Sequence, residues 1–156
     1  MQGFLVFRYE RIINAPLQLV VDCVHEDEHI MQWNSFVVES IYDNENEIIG
    51  LGTKYISRQQ LGENRIEDVQ CEVVEFDKNR LIAVSATTRE GVSTTRYSFN
   101  EVKEGTEIIV EVYIKPSNWY YKLLSILTKK LTKFVYVDEF KKCEEYIYEQ
   151  LEWYES

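Results

Sequence analysis

The chain has 156 residues, 45% of them hydrophobic and 28% charged, the usage of a globular domain rather than of a disordered or fibrous segment. A formal net charge of −10 argues against partners built on phosphate charge, both nucleic acids and anionic membrane surfaces. Three widely spaced cysteines (Cys23, Cys71, Cys143), with no CxxC pair, fit reduced and buried thiols in a cytoplasmic protein rather than a disulfide framework.

The first apolar run, FLVF, is cut by Arg8 after Phe7, far short of a signal peptide or a membrane span, so no integral membrane segment is expected. Aromatic and β-branched residues continue to Ile13, and Phe4–Ile13 is predicted as a strand. Asn14 is then placed as a helix N-cap, with Pro16 near the first turn. Leu17, Val20, Val21 and Val24 repeat at helical spacing, which predicts a helix ending near His25. A second short helix carries Glu28 to Gln32 up to Trp33.

From Phe36 to Lys115 the pattern changes to strands separated by turn signals. SFVVESIY precedes a long polar loop, DNENE with Gly50 and Gly52. TKYISRQQL, RIEDVQCEVVEF, LIAVSATT, VSTTRYSF and EIIVEVYI follow, with short turn-like connections between them. Connections that short exclude parallel crossovers and predict an antiparallel meander. Pro116 ends the last strand, and Ser117 is placed as the cap of a helix from Trp119 to about Trp153. Along that helix Tyr120, Leu123, Leu124, Leu127, Leu131, Phe134 and Asp138 share one face. Phe140, Ile147 and Leu151 fall on nearly the opposite one, so the helix either bends near 136–138 or packs its halves against different surfaces. No linker or internal repeat divides the chain, which predicts one domain over 1–156.

Strand, two short helices, six strands and a long C-terminal helix, in that order, resemble the START-like helix-grip superfamily, which includes the birch pollen allergen, lipid-transfer domains and polyketide cyclases. IINAPLQLV is similar to the family's strand-to-helix passage, and HEDEHIMQWN to its second helix, which ends in tryptophan and asparagine, here Trp33 and Asn34. GLGTKY, EVVEFDKNRLIA and EVKEGTEI resemble its glycine-led strand and later hairpins. The resemblance implies an α+β helix-grip fold, a curved antiparallel sheet of about seven strands around the C-terminal helix, with an apolar cavity between them. It implies binding or transport of a small hydrophobic or amphipathic ligand. The alternatives are a cyclase, dehydratase or hydrolase acting in the same cavity, or a protein-interaction module.

Strand alternation proposes the lining. Tyr55, Ser57 and Gln59 share one face, as do Thr95, Tyr97 and Phe99, while Val110, Val112 and Ile114 form an apolar wall. The same spacing fits a filled core with tyrosine hydroxyls at its rim, so both remain open. Both faces of Leu81–Thr87 are apolar, which leaves its inward side undecided. Leu127, Leu131 and Phe134 supply the helix's contribution. Asp138 sits on that apolar face, where a desolvated carboxylate would be a general base or ligand anchor. It equally marks the point where the helix turns to water.

One motif needs separate treatment. His25-Glu26-Asp27-Glu28-His29 matches the H-E-x-x-H pattern of zinc proteases, with two histidines at helical i,i+4 spacing. The stripe of Leu17, Val20, Val21, Val24 and Met31 would turn both histidines to the polar side, and the chain has no third histidine. A solvated helix junction is therefore expected, with no metal and no cofactor. Phosphate-loop and nucleophile-elbow signatures are missing as well.

Overall fold

In the computed structural model, which describes residues 3–44 and 48–155, alternation of apolar and polar residues organises nearly half of the chain into one sheet. The strands are β1 (Phe4–Ile13), β2 (Val37–Tyr42), β3 (Lys54–Gly62), β4 (Arg65–Asp77), β5 (Leu81–Thr88), β6 (Gly91–Val102) and β7 (Gly105–Pro116). Helices α1 (Leu17–His25) and α2 (Asp27–Trp33) lie between β1 and β2, and α3 (Trp119–Leu127) and α4 (Lys129–Glu155) complete the chain. The architecture is α+β and helix-grip, as expected. Of the polar loop before Gly50, Glu45, Asn46 and Glu47 lie outside the described residues.

The sheet order is β1-β7-β6-β5-β4-β3-β2, and every neighbouring pair is antiparallel. Register shifts at Leu5/Phe7, Val37/Glu39, Gln60/Gly62 and Val73/Glu75 interrupt the ladders, and such bulges bend strands. The resulting curve gives the sheet a concave face. Gly105 opens β7 at φ 139°, where a Cβ would run into the carbonyl oxygen of Ile13, so this hairpin needs glycine.

Pairing sets the inward face. Across it run the rows Tyr42–Tyr55–Cys71–Ala86–Ser93 and Val73–Val84–Thr95–Val112. Ile82, Tyr97, Val110 and Tyr9 form a third row. The ambiguous strand β5 thus turns Ile82, Val84 and Ala86 inward. Ala83, on its other face, is also fully buried, which is why alternation alone could not choose.

The core gathers where β1, β6 and β7 meet α1 and the second half of α4. Val20, Val110, Val112 and Ile147 are inaccessible to solvent. Phe140 is the aromatic hub, its ring 5.6 Å from Tyr9, 6.0 Å from Phe7 and 6.2 Å from both Trp33 and Tyr97. Polar ties hold the same half of α4. Buried Glu139 accepts from the Ser35 backbone at 3.0 Å and from Lys142 at 3.3 Å, and Tyr9 donates to Glu144 at 3.2 Å. Satisfying Glu139 in this way removes the penalty of an unpaired buried carboxylate.

Three local expectations are corrected. Pro16, not Asn14, occupies the N-cap of α1, because its extended ψ of 145° makes the transition. Asn118 rather than Ser117 caps α3, accepting from the Tyr121 amide at 3.1 Å. The C-terminal helix breaks at Thr128, well before residues 136–138. The Thr128 hydroxyl bonds back to the Leu124 carbonyl at 2.8 Å, a competition with the helix ladder that threonine often introduces.

Candidate functional site

Where α4 fills the concave face, the interior is solid; toward β2–β5 it is not. A cleft of about 180 Å³ remains there, roofed by α1 and α2 and floored by β3–β6. Tyr55, Ser57, Gln59, Thr95 and Tyr97, all expected from strand alternation, line it together. Gln59 donates to the Ser57 hydroxyl at 3.2 Å, and the Tyr55 ring stacks 5.0 Å from Tyr42. Apolar surface comes from Val73, Ile82, Val84 and Ala86 on the floor and from Val24 and Ile30 in the roof.

The rest of the expected lining lies elsewhere. Phe99, Val110 and Val112 share the inward face but lie outside this cleft, Val110 and Val112 in the filled core and Phe99 beside a separate hollow under α1. Leu127, Leu131 and Phe134 are 73%, 65% and 73% exposed and touch no part of this cleft. Asp138 follows the second of its two readings, marking where the helix turns to water. Its carboxylate is 60% exposed and pairs with Lys142 at 3.4 Å, one turn along the helix, so it is no buried base. The helical stripe says which residues share a face but not what covers that face. Here α3 and the start of α4 turn Tyr121, Ser125, Thr128 and Thr132 toward the sheet and bound a separate hollow of about 180 Å³ there, so this cleft lies against α1 and α2 while Leu127, Leu131 and Phe134 face away.

The junction that holds the two histidines supplies what strand alternation missed. Glu26 has extended backbone (φ −76°, ψ 129°), which ends α1 and starts α2, so His25 and His29 stand on different helices. The i,i+4 geometry of a zinc protease helix is therefore broken. Neither histidine is merely solvated. His25 and Asp27 line the cleft, whereas His29 Nδ1 lies 2.6 Å from the Tyr146 hydroxyl of α4. Asn34 also lines the cleft, and its side-chain oxygen accepts from the Phe36 and Val37 amides at 2.9 and 3.2 Å, which turns the chain into β2. A polar run between two short helices is the signal that marked these residues.

The interior of the cleft is electrically neutral. Burial pushes the Tyr55 and Tyr97 phenols well above their ordinary range, so both stay protonated at neutral pH. Burial likewise pushes the Cys71 thiol up to about 11, outweighing the opposite pull of its hydrogen bond with Tyr55. Tyrosine, serine, threonine, glutamine and thiol groups can orient a ligand here, but none is an activated nucleophile. His25 and Asp27 also line it, at the junction of α1 and α2.

These shifts predict an alkaline transition. A thiol with a folded value above its unfolded one contributes stability that is complete below the unfolded value and is lost as pH rises toward the folded value. Melting temperature, followed by circular dichroism, should hold up to about pH 8.5 and fall from there to about pH 11. The fall should be shallower in Cys71→Ala, with Cys23, which burial also pushes up to about 11, carrying part of the remainder.

Comparison with known proteins bears on this arrangement. A family model described as polyketide cyclase/dehydrase and lipid transport matches residues 5–134. No curated protein gives a significant match. Among solved structures, TTHA0849 from Thermus thermophilus superposes with a TM-score of 0.69 at 18% identity, covering 92% of this chain and 97% of that one. The Polyketide_cyc-like protein Cgl2372 from Corynebacterium glutamicum gives 0.65 at 19% identity, over 96% and 93% of the two chains. NE0264 from Nitrosomonas europaea gives 0.68 at 14% identity, over 92% and 94%. Identities this low speak to the fold alone.

Proposed function

The chain belongs to the polyketide cyclase/dehydrase and lipid transport family, and on that premise we propose that its cleft binds or carries a small hydrophobic or amphipathic molecule in the cytoplasm. One observation carries this reading. The concave face is left open between β3–β6 and α1–α2, and its lining combines aliphatic side chains with neutral hydroxyl and amide groups. Burial of apolar ligand surface supplies the drive, and Tyr55, Ser57 and Gln59 orient a polar end.

Volume restricts the ligand. An apolar cavity of about 150 Å³ holds benzene, and drug-sized ligands need roughly 300–1,000 Å³. About 180 Å³ therefore suits a single ring or a short acyl chain, not a fused four-ring compound. The test is a thermal-shift series of monocyclic aromatics and short-chain acids run beside a sterol. At a hundredfold excess over Kd, a fitting ligand should raise Tm by roughly 5–10 °C, while the sterol should not. No shift across the small compounds would remove the proposal.

A second reading, an enzyme acting on such a ligand, is favoured by a different observation: the ionisable pair His25 and Asp27 lines the same cleft. Turnover of a bound compound, lost in Asp27→Asn while binding persists, would select it.

A further inference from the structure

Helix α3 buries none of its residues, and most of its large apolar side chains face away from the sheet. Tyr121, Leu124 and Ser125 of α3, Thr128 at the break and Thr132 of α4 turn toward the ends of β6 and β7 at Ser93 and Ile114. The Ser125 and Thr128 hydroxyls are satisfied within the helix, by the carbonyls of Tyr121 and Leu124. The large apolar side chains point out: Trp119 is 76% exposed, Leu127 73%, Leu131 65% and Phe134 73%. Solvent-facing apolar surface of this extent marks a contact with something other than water.

Charge identifies the contact. The chain carries 27 acidic residues against 17 basic ones, yet between Glu111 and Asp138 it has five lysines and no acid. Within α3, Lys122 stands one turn from Trp119, and within α4 Lys130 stands one turn from Phe134 with Lys133 beside it. All three are exposed. An apolar arc bordered by lysines, on a helix too short to span a bilayer, is the form of a segment that lies in the plane of an anionic membrane surface. The net charge of −10 does not oppose this, since charges are screened beyond about 8 Å at physiological salt and the local lysines dominate. A second copy is a poorer occupant, because this segment of a partner would offer those lysines no carboxylate.

We propose that α3 and the first turns of α4 dock this protein on anionic lipid bilayers, with the apolar arc at the acyl boundary and the lysines at the headgroups. The site is separate from the cleft under α1 and α2, and the inference stands whether or not that cleft binds a ligand. Only the net-charge argument against anionic membranes is set aside, since it averaged over an uneven surface.

Flotation of the intact chain with vesicles provides the test. It should co-float with phosphatidylcholine vesicles containing about one-third phosphatidylglycerol, stay behind with phosphatidylcholine alone, and be released by high salt. Lys122→Glu combined with Lys130→Glu and Lys133→Glu should weaken binding on the order of a hundredfold. Trp119→Ser with Phe134→Ser should abolish it. These side chains are exposed, so unchanged melting of each variant separates lost docking from lost folding. Failure to float with the anionic vesicles, or equal flotation of the triple glutamate variant, would overturn the proposal. So would a concentration-dependent dimer that Phe134→Ser dissociates in a protein that binds no vesicles.

Discussion

Ile147→Ala is expected to destabilise the protein by about 3 kcal/mol, the usual cost of emptying a fully packed aliphatic site. Ile147 has no solvent exposure and sits with Phe140 and Cys143 on the inward face of α4, packed into the core of Val20 and Val110. Surrounding β7 and α1 are themselves buried and paired, so the site has little room to collapse around the void. Leu127→Ala removes as many carbon atoms from the same pair of C-terminal helices, yet should change stability by less than about 0.5 kcal/mol. Leu127 is 73% exposed, so the folded state buries little of it. Urea unfolding of both variants, read at constant m, checks the contrast. A roughly sixfold difference would establish that the core grips the second half of α4 and not the end of α3. Comparable costs would mean that the apolar face of α3 is covered in the isolated chain.

The second large effect concerns the cleft. Ala86 stands at its floor, paired across the sheet with Cys71 and Ser93. Ala86→Trp should place an indole in the space proposed for the ligand and cut affinity by at least a hundredfold. Stability should be unchanged or slightly raised, because the added atoms fill a void instead of overpacking a dense core. Val110→Trp is the opposing control. That site has no solvent exposure and no adjacent space, so the same added bulk should unfold the protein or cost several kcal/mol.

The contrast between these sites shows where sequence periodicity is informative. A period of two has one inward face per strand, and short hairpin connections fix which strands are neighbours. The grouping of Tyr55, Ser57 and Gln59 with Thr95 and Tyr97 was therefore legible. Strand β5 was not, because Ala83 is buried on the face opposite Ile82 and Val84. Helical periodicity carried less. It identified the phase change between Leu131 or Phe134 and Phe140 or Ile147, but gave Leu127, Leu131 and Phe134, which are exposed, to the cavity lining. Apolar residues sharing a face are equally consistent with a core, a partner and a lipid surface. The lysines at 122, 130 and 133 were the distinguishing feature, and only the exposed geometry of α3 gives them meaning.

The histidine motif shows a different limit. His25 and His29 satisfy a spacing rule written for continuous helix, and one extended residue, Glu26, undoes it. Dismissing the motif as a protease signature agrees with the broken helix. Treating its residues as solvent-facing overlooked that a junction between two helices can roof a cleft, which is how His25, Asp27 and Asn34 reach it. Trp33 fixes that junction from below, its indole donating to the Cys23 carbonyl at 2.9 Å.

The most direct measurement is native mass spectrometry of gently purified protein, wild type beside Ala86→Trp, each compared with its denatured mass. The account predicts a small organic adduct on the wild type, no larger than a single ring or short acyl chain, that disappears on denaturation and is missing from the variant. A wild type that remains bare even with such compounds added in excess, or an adduct that survives in the filled variant, would contradict the assignment of this cleft as the binding site.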